Sequence, residues 1–503
     1  MPTTTIASLP YDVWARIVSF IPKDILRNLY AVNQALFHFA MEERYKSLYI
    51  NHLRIPFTII NQLSDPFRAS KIRALHLRPS PLGHYISEVS QKDLQPLKGN
   101  IKRTADDSWV KKHLKRRTGP PLTWPLNTSG ERREAILSLL QIVKGLSGVQ
   151  TLRIKLSQPE CLESFRMTTP LIDIAWQACS SALRRVHFDF PLDVIKCVLP
   201  SNLHLPNFEE FSVRFSVTSR TTDSEEVVIT NLVPFVNNHH QTLQKLTLFT
   251  HEHFALDSFF HQLSRMPCLT SFSLTQGYVS SLQTDTSGLH SFLTVHAGTL
   301  TSLKLVFQAL GKPYVKAPLM REWFKQPCLK VALPHLRTLE FGLWDFPSSF
   351  STPMGTYLKQ YNDSLTSLII NNKPLLTYED INNIVTGFGA PGVLRYLGIG
   401  VSKVPGKIFD LLAINLPSLH ALSLATDVWV TNQYRTMDYF CLWQNEFCAE
   451  MRPLSYAAWD LRHLTLTLNT QSVYLGNFYV KTILKALPGL QTFNRIPKQN
   501  YLD

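Results

Sequence analysis

An α/β fold built from strand and helix units in tandem is what this sequence predicts, and three observations predict it. The segment L-x-x-L-x-L, or a close apolar substitute, returns along the chain. The fourth and sixth residues of each copy keep the period of two of a strand, and segments with helical spacing lie between copies. Copies begin at Ile72, Val149, Leu183, Phe208, Leu243, Leu269, Leu300, Leu336, Leu365, Leu394, Leu419 and Leu461, with a degraded one at Leu490 in which Phe493 takes the fourth place. From Val149 onward successive copies start 25 to 42 residues apart. Leu303 and Leu305 should therefore share a buried face, and Lys304 between them should be exposed. Helical spacing runs over 135–146, 171–182, 254–263, 378–388, 407–416 and 434–451.

One strand and one helix have too small an apolar face to offset their ordering entropy, whereas neighbours laid side by side bury a continuous core. The array resembles leucine-rich repeats of the irregular, long-unit kind. That resemblance implies a solenoid over 134–503, with parallel strands on the concave face and helices on the convex face. The Asn or Cys that many such families place after the strand is not regularly present, so the turns out of the strands must be closed differently from unit to unit.

The elements before the array follow in order. Residues 1–50 read as a compact helical module. Val13, Ile17 and Phe20 or Ile21 fall at helical spacing after Pro10, and Pro22 ends that helix. Asp24 is placed to cap a second helix with Ile25, Leu29 and Val32 as its apolar stripe, and a third runs over 34–48. The order Leu9, Pro10, Asp12, Val13, Trp14, Ile17, Phe20, Ile21, Pro22, continued by Asp24, Leu26, Leu29, Val32 and Asn33, resembles an F-box. Asp12 stands where a Glu is commoner. The resemblance implies a three-helix F-box that binds the adaptor subunit of an SCF-type ubiquitin ligase and, through it, cullin, with Leu9, Pro10, Ile17, Ile21, Leu26 and Leu29 in contact with the adaptor. The plainer alternative is a helical cap shielding the first repeat.

Residues 51–82 connect the module to the array and hold the first copy. Residues 83–133 carry Lys111-Lys112-His113-Leu114-Lys115-Arg116-Arg117 and Gly119-Pro120-Pro121 with little periodicity, and read as a basic, disordered loop. Its charges are expected to be a solvated run, with a nuclear-localisation or nucleic-acid patch as the alternative. They account for part of the formal net charge of +14.

Composition excludes other classes. No apolar stretch reaches the length of a membrane span, and Met1-Pro2-Thr3-Thr4-Thr5 does not open a secretory signal, so no membrane partner is expected. Seven cysteines without a C-x-x-C read as reduced, mostly buried thiols of a cytoplasmic or nuclear protein. His239-His240 and His251-Glu252-His253 match no common zinc spacing and are expected in loops or on the surface. Gly387-Phe388-Gly389 and Gly398-Ile399-Gly400 lack the third glycine of a dinucleotide loop and read as turns. Trp429, Tyr439, Trp443 and Trp459 read as core. With no nucleophile and base to pair, neither an enzyme nor a cofactor is expected.

The expectation is a substrate-recognition subunit that holds a protein where a separate enzyme can reach its lysines. The alternatives are a repeat scaffold without ubiquitin transfer and, more remotely, a basic nucleic-acid-binding protein. If the fourth and sixth residues of each copy point inward, the third, fifth and seventh line the other face. Arg153, Lys155, Arg185, Arg214, Lys245 and Lys304 then make its first half basic, which suits an acidic or phosphorylated substrate.

Overall fold

The computed structural model describes residues 9–50, 62–63, 65–78, 86, 129–156, 168–200, 203–216, 224–253, 256–278, 286–309, 324–344, 351–373, 375–389, 393–426, 447–451, 454–468 and 477–501. Two compact units are present, Met1–Leu243 and Gln244–Asp503. Most of the basic segment 83–133, with its Lys and Arg run, lies outside the described residues, as do Trp429, Tyr439 and Trp443 and most of the helical segment expected over 434–451.

The first unit opens on helices α1 (Tyr11–Val18), α2 (Lys23–Leu26) and α3 (Gln34–Tyr45). Pro10 and Pro22 occupy the cap positions of α1 and α2. Asp24 is not a cap but lies in the first turn of α2, where a negative charge still complements the helix dipole. Asn33 caps α3, its side-chain oxygen accepting from the Leu36 N–H at 2.8 Å. The helix expected to reach Leu48 stops at Tyr45, and Ser47–Ile50 forms strand β1 with Leu48 and Ile50 buried. Four residues are too few for periodicity to separate a strand from the tail of a helix. Pairing decides it: the Lys46 carbonyl accepts from the Arg73 and Ala74 N–H groups, and β1 runs parallel to the next strand.

The rest of the first unit alternates: α4 (Pro66–Ala69), β2 (Ala74–Leu77), α5 (Ser129–Lys144), β3 (Thr151–Lys155), α6 (Thr169–Cys179), β4 (Arg185–Pro191), α7 (Ile195–Val198), β5 (Glu210–Ser216) and α8 (Ser224–Asn238). Strands β1 to β5 pair parallel, each with the next in sequence. Leu48, Leu75, Leu152, Val186 and Phe211 stand side by side in one buried row, and Ile50, Leu77, Ile154, Phe188 and Val213 in the next. Helices cover this face, with Phe211 against Phe235 at 5.0 Å and Trp176 edge-on to Phe188 at 6.1 Å.

The second unit contains β6 (Lys245–His253), α9 (Asp257–Gln262), β7 (Ser271–Tyr278), α10 (Ser287–Val295), β8 (Ser302–Ala309), β9 (Thr338–Trp344), α11 (Ser351–Lys359), β10 (Ser367–Lys373), α12 (Tyr378–Phe388), β11 (Tyr396–Val401), α13 (Lys407–Asn415), β12 (Ala421–Thr426), β13 (His463–Leu468), α14 (Asn477–Ala486), β14 (Thr492–Phe493) and β15 (Ile496–Pro497). Strands β6 to β14 are parallel neighbours, and their fourth-position residues, from Leu246 and Phe272 to Leu464 and Phe493, form one buried row. A two-residue turn with positive φ at Asn494 (48°) and Arg495 (69°) folds β15 back antiparallel onto β14.

Each L-x-x-L-x-L copy lies on a strand, β2 to β14 in order, and in every copy the third residue is the first of its strand. The first-position residues are buried throughout. This is the α/β strand-and-helix repeat the sequence predicts. Gly398 and Gly400, expected in a turn, instead lie inside β11, whereas Gly389 ends α12 with φ of 95°. Gly355 and Gly387 let α11 and α12 approach closely: a Cβ on Gly355 would come within 3.0 Å of the Gly387 Cα.

A polar residue four places before the first position of a copy repeatedly bridges to backbone of the preceding repeat. Cys179 meets the Leu146 carbonyl at 3.7 Å, and the Tyr361 hydroxyl donates to the Val331 carbonyl at 3.3 Å. His239 and His296 bond through both ring nitrogens, Nε2 to the preceding repeat and Nδ1 within their own. Nε2 accepts from the Leu205 N–H at 3.1 Å and from the Met266 N–H at 3.0 Å. Nδ1 must then carry the proton, donated to the Phe235 carbonyl at 2.7 Å and the Phe292 carbonyl at 2.8 Å. His239 lies in the turn after α8, as a loop residue should, but it is a buried connector and not at the surface, because a neutral ring with both nitrogens bonded can be buried.

Burial pushes the pKa of both rings below the ordinary 6.5, outweighing the upward pull of the two carbonyls. The unfolded chain therefore binds protons that the folded chain refuses. Their contribution to stability is complete above 6.5 and falls as pH drops from there through the lowered folded values. Thermal melts should show a midpoint that declines below about pH 6.5, less steeply in a His239→Gln, His296→Gln variant. Equal slopes for both proteins would rule out these rings as the cause.

Candidate functional site

The amino-terminal helices enclose a small core of their own, made by Trp14, Leu26 and Leu36 with Val18, Ile21, Leu29, Ala35 and Phe39 packed against it. Helix α1 and the turn that follows it carry two apolar stripes. Trp14, Val18 and Ile21 face the core, while Val13, Ile17 and Phe20, at the same spacing, face out with 38%, 37% and 72% of their surface exposed. Of the 13 large apolar residues exposed among the described ones, eight lie between Leu9 and Val32, so apolar exposure is concentrated on this module.

The six residues proposed from sequence divide accordingly. Leu9, Pro10 and Ile17 are at the surface. Ile21 and Leu29 are half-buried against the core. Leu26 is a correction: at 5% exposure it belongs to the core, because α2 is so short that its one inward position must fill the space beside Trp14. Tyr11, Val13, Phe20, Ile25, Tyr30 and Val32 are exposed apolar residues that sequence reasoning left out of the site. The signal for them was present, since Val13, Ile17 and Phe20 form a stripe distinct from Trp14, Val18 and Ile21.

The second candidate surface is the sheet face away from the helices. In the first unit Arg153, Lys155, Arg185 and Arg214 all lie there, exposed. Lys155 is held by Asp189 at 3.0 Å on the neighbouring strand. Arg185 donates from Nε to the Thr151 hydroxyl at 3.1 Å. His76 aligns with Arg153 across β2 and β3 and stacks on Tyr49 with centroids 4.1 Å apart. Burial, and then the Arg153 charge, lower the His76 pKa, so this ring adds no positive charge near neutrality.

In the second unit Lys245, the first residue of β6, is exposed. Lys304 departs from expectation: its side chain is 37% exposed, and Glu340 on the next strand lies 2.6 Å from its amine. Asn371 donates to the same carboxylate at 2.7 Å. Neighbours one strand apart are within reach of a long side chain, so the Lys304 charge is spent within the sheet. The strand register is nevertheless as predicted, with Leu303 and Leu305 buried on either side.

Among the described residues no group of three or more His, Cys, Asp or Glu side chains could hold a metal ion. His251 is exposed on β6, against Phe249. Asp257, His261 and Ser287 come together, but the Asp257 carboxylate and the Ser287 hydroxyl both lie on the Nε2 side of the ring, at 3.5 Å and 3.2 Å. A relay needs the carboxylate on the opposite nitrogen. Asp257 instead accepts from the Gly288 N–H and caps the start of α10. Among the described cysteines Cys179, Cys328 and Cys448 are buried and Cys268 exposed, none in a disulfide; burial raises the Cys179 thiol to about 12 and Cys328 to about 11. Trp459 is core, its indole N–H bonded to the Leu416 carbonyl at 3.0 Å. No helix among the described residues is long and apolar enough to cross a membrane.

No protein-family model matches the chain, and no curated protein matches it. Among solved structures it is similar to one described as the crystal structure of a Rad7 and Elc1 complex in yeast, with 12% identity over 85% of this chain and 90% of that chain and a TM-score of 0.32. At that level of similarity nothing about partners passes from one chain to the other.

Proposed function

We propose that this chain is the substrate-recognition subunit of an SCF-type ubiquitin ligase, with its amino-terminal helices acting as an F-box that binds the adaptor and its repeats binding the protein to be modified. The observation that carries this is the outward apolar stripe of Val13, Ile17 and Phe20, on a module whose own core is already filled by Trp14, Leu26 and Leu36. Apolar residues left outside a complete core are ones that a partner covers. The chain then does no chemistry itself. It raises the local concentration of a protein near a ubiquitin-charged enzyme, so proximity supplies the rate.

The test is affinity purification of the full chain from cells followed by mass spectrometry. Adaptor and cullin should accompany it as major partners. Recovery of other proteins with neither of these would favour a repeat scaffold that takes no part in ubiquitin transfer. Simple deletion of residues 1–50 is a poor control, because it also removes β1 and leaves the edge of β2 unpaired.

A further inference from the structure

We infer that the open sheet face of the first unit, centred on Arg153 of β3 and Arg185 of β4, binds an acidic, carboxylate-rich segment of a partner protein in extended form. Calling that partner the protein to be modified rests on the function proposed above; the binding itself does not. Both arginines are exposed, and neither is in an ion pair among the described residues. On the same strands Lys155 is neutralised by Asp189, so the arginines are left as the groups able to take a new anion.

Register fixes how they are spaced. Arg185 aligns with Thr151 and Arg153 aligns with His187, so the two arginines are diagonal neighbours, roughly 7–8 Å apart at their backbones. The Nε bond to Thr151 orients the Arg185 guanidinium while its two terminal nitrogens stay available. Planar guanidinium groups pair with carboxylates through two parallel N–H donors.

Each arginine stands on its own strand, with the Lys155–Asp189 pair on the same two strands. Single charges set apart in this way match a run of separate carboxylates along an extended chain better than one concentrated dianion, which would want its cations at a single point. The stacked Tyr49 and His76 rings lie on the strands beside Arg153, and Tyr49 is 54% exposed, which gives apolar side chains of the same segment a surface to cover.

The test uses the full chain and a labelled synthetic peptide of alternating Glu, Asp and Gly with one Leu, read by fluorescence anisotropy at low and physiological salt. Binding should weaken with salt and fall about tenfold or more in an Arg153→Glu, Arg185→Glu variant, since each arginine supplies a charge-assisted pair. Lys304→Glu, on the second unit, should leave it unchanged. The idea fails if the double variant binds the peptide as well as the unmodified chain does. It also fails if a phosphoserine peptide of the same length, or a single-stranded oligonucleotide, is the only one of the probes to bind. Adaptor binding by the same variants separates this from the proposed function: loss of peptide binding with the adaptor retained concerns this face alone, and peptide binding by a chain that never takes up the adaptor leaves this face standing while overturning the function.

Discussion

Leu303→Ala should destabilise the second unit by about 2 to 5 kcal/mol, the range for buried leucines that leave a cavity. Leu303 is 1% exposed and sits in register between Phe272 of β7 and Leu339 of β9, so truncation opens a gap next to three strands at once. Repeats contact mainly their neighbours, and the loss should be felt first as local opening around β7 to β9. Hydrogen exchange of those amides, with urea denaturation of the whole chain, would measure it. Lys304→Ala is the matched control: an ion pair between partly exposed side chains is worth about 1 kcal/mol. A larger cost for Lys304→Ala than for Leu303→Ala would mean that side-chain burial in this strand is reversed.

The array was legible because its signal is repeated. A single L-x-x-L-x-L is ambiguous, but thirteen copies each predict strand alternation at the fourth and sixth residues, and each copy lies on a strand, which begins at its third residue. Strand β1 escaped because the apolar residue at its first position, Tyr45, also belongs to the last turn of α3. The charged face was legible as composition and not as chemistry. Sequence places Lys155 and Lys304 outward, yet only the alignment of neighbouring strands shows that Asp189 and Glu340 lie within reach of them. The burial of His239 is hidden from the sequence for the same reason, since its partner, the Leu205 N–H, is supplied by the preceding repeat.

The helical module shows the same division at closer range. Its helices follow from spacing and from Pro10 and Pro22, but helical spacing admits two stripes along α1 and the turn after it, and only packing decides which of them is the core. Leu26, expected in contact with the adaptor, lies in the core, while Val13 and Phe20, read only as apolar residues at helical spacing, lie at the surface.

Ile17→Lys should weaken adaptor binding about thirtyfold or more, the effect of a buried interface anchor worth about 2 kcal/mol. Ile17 lies at the centre of the outward stripe, between Val13 and Phe20, and a charge there would have to be desolvated beneath the partner. Lysine is chosen because it is a good helix former and because a positive charge near the end of α1 complements the helix dipole, so the module itself should stay folded. Replacing Leu9 and Pro10 together with Ala should weaken binding in the same direction. Leu26→Ala cannot serve this purpose, because it removes a core residue and would lower helix content along with affinity. Isothermal titration with the purified adaptor, beside far-ultraviolet circular dichroism of each variant, reads both quantities. Undiminished adaptor affinity in Ile17→Lys and in the Leu9, Pro10 variant, with helix content intact, would remove this surface as the adaptor site and leave the module as a cap on the first repeat.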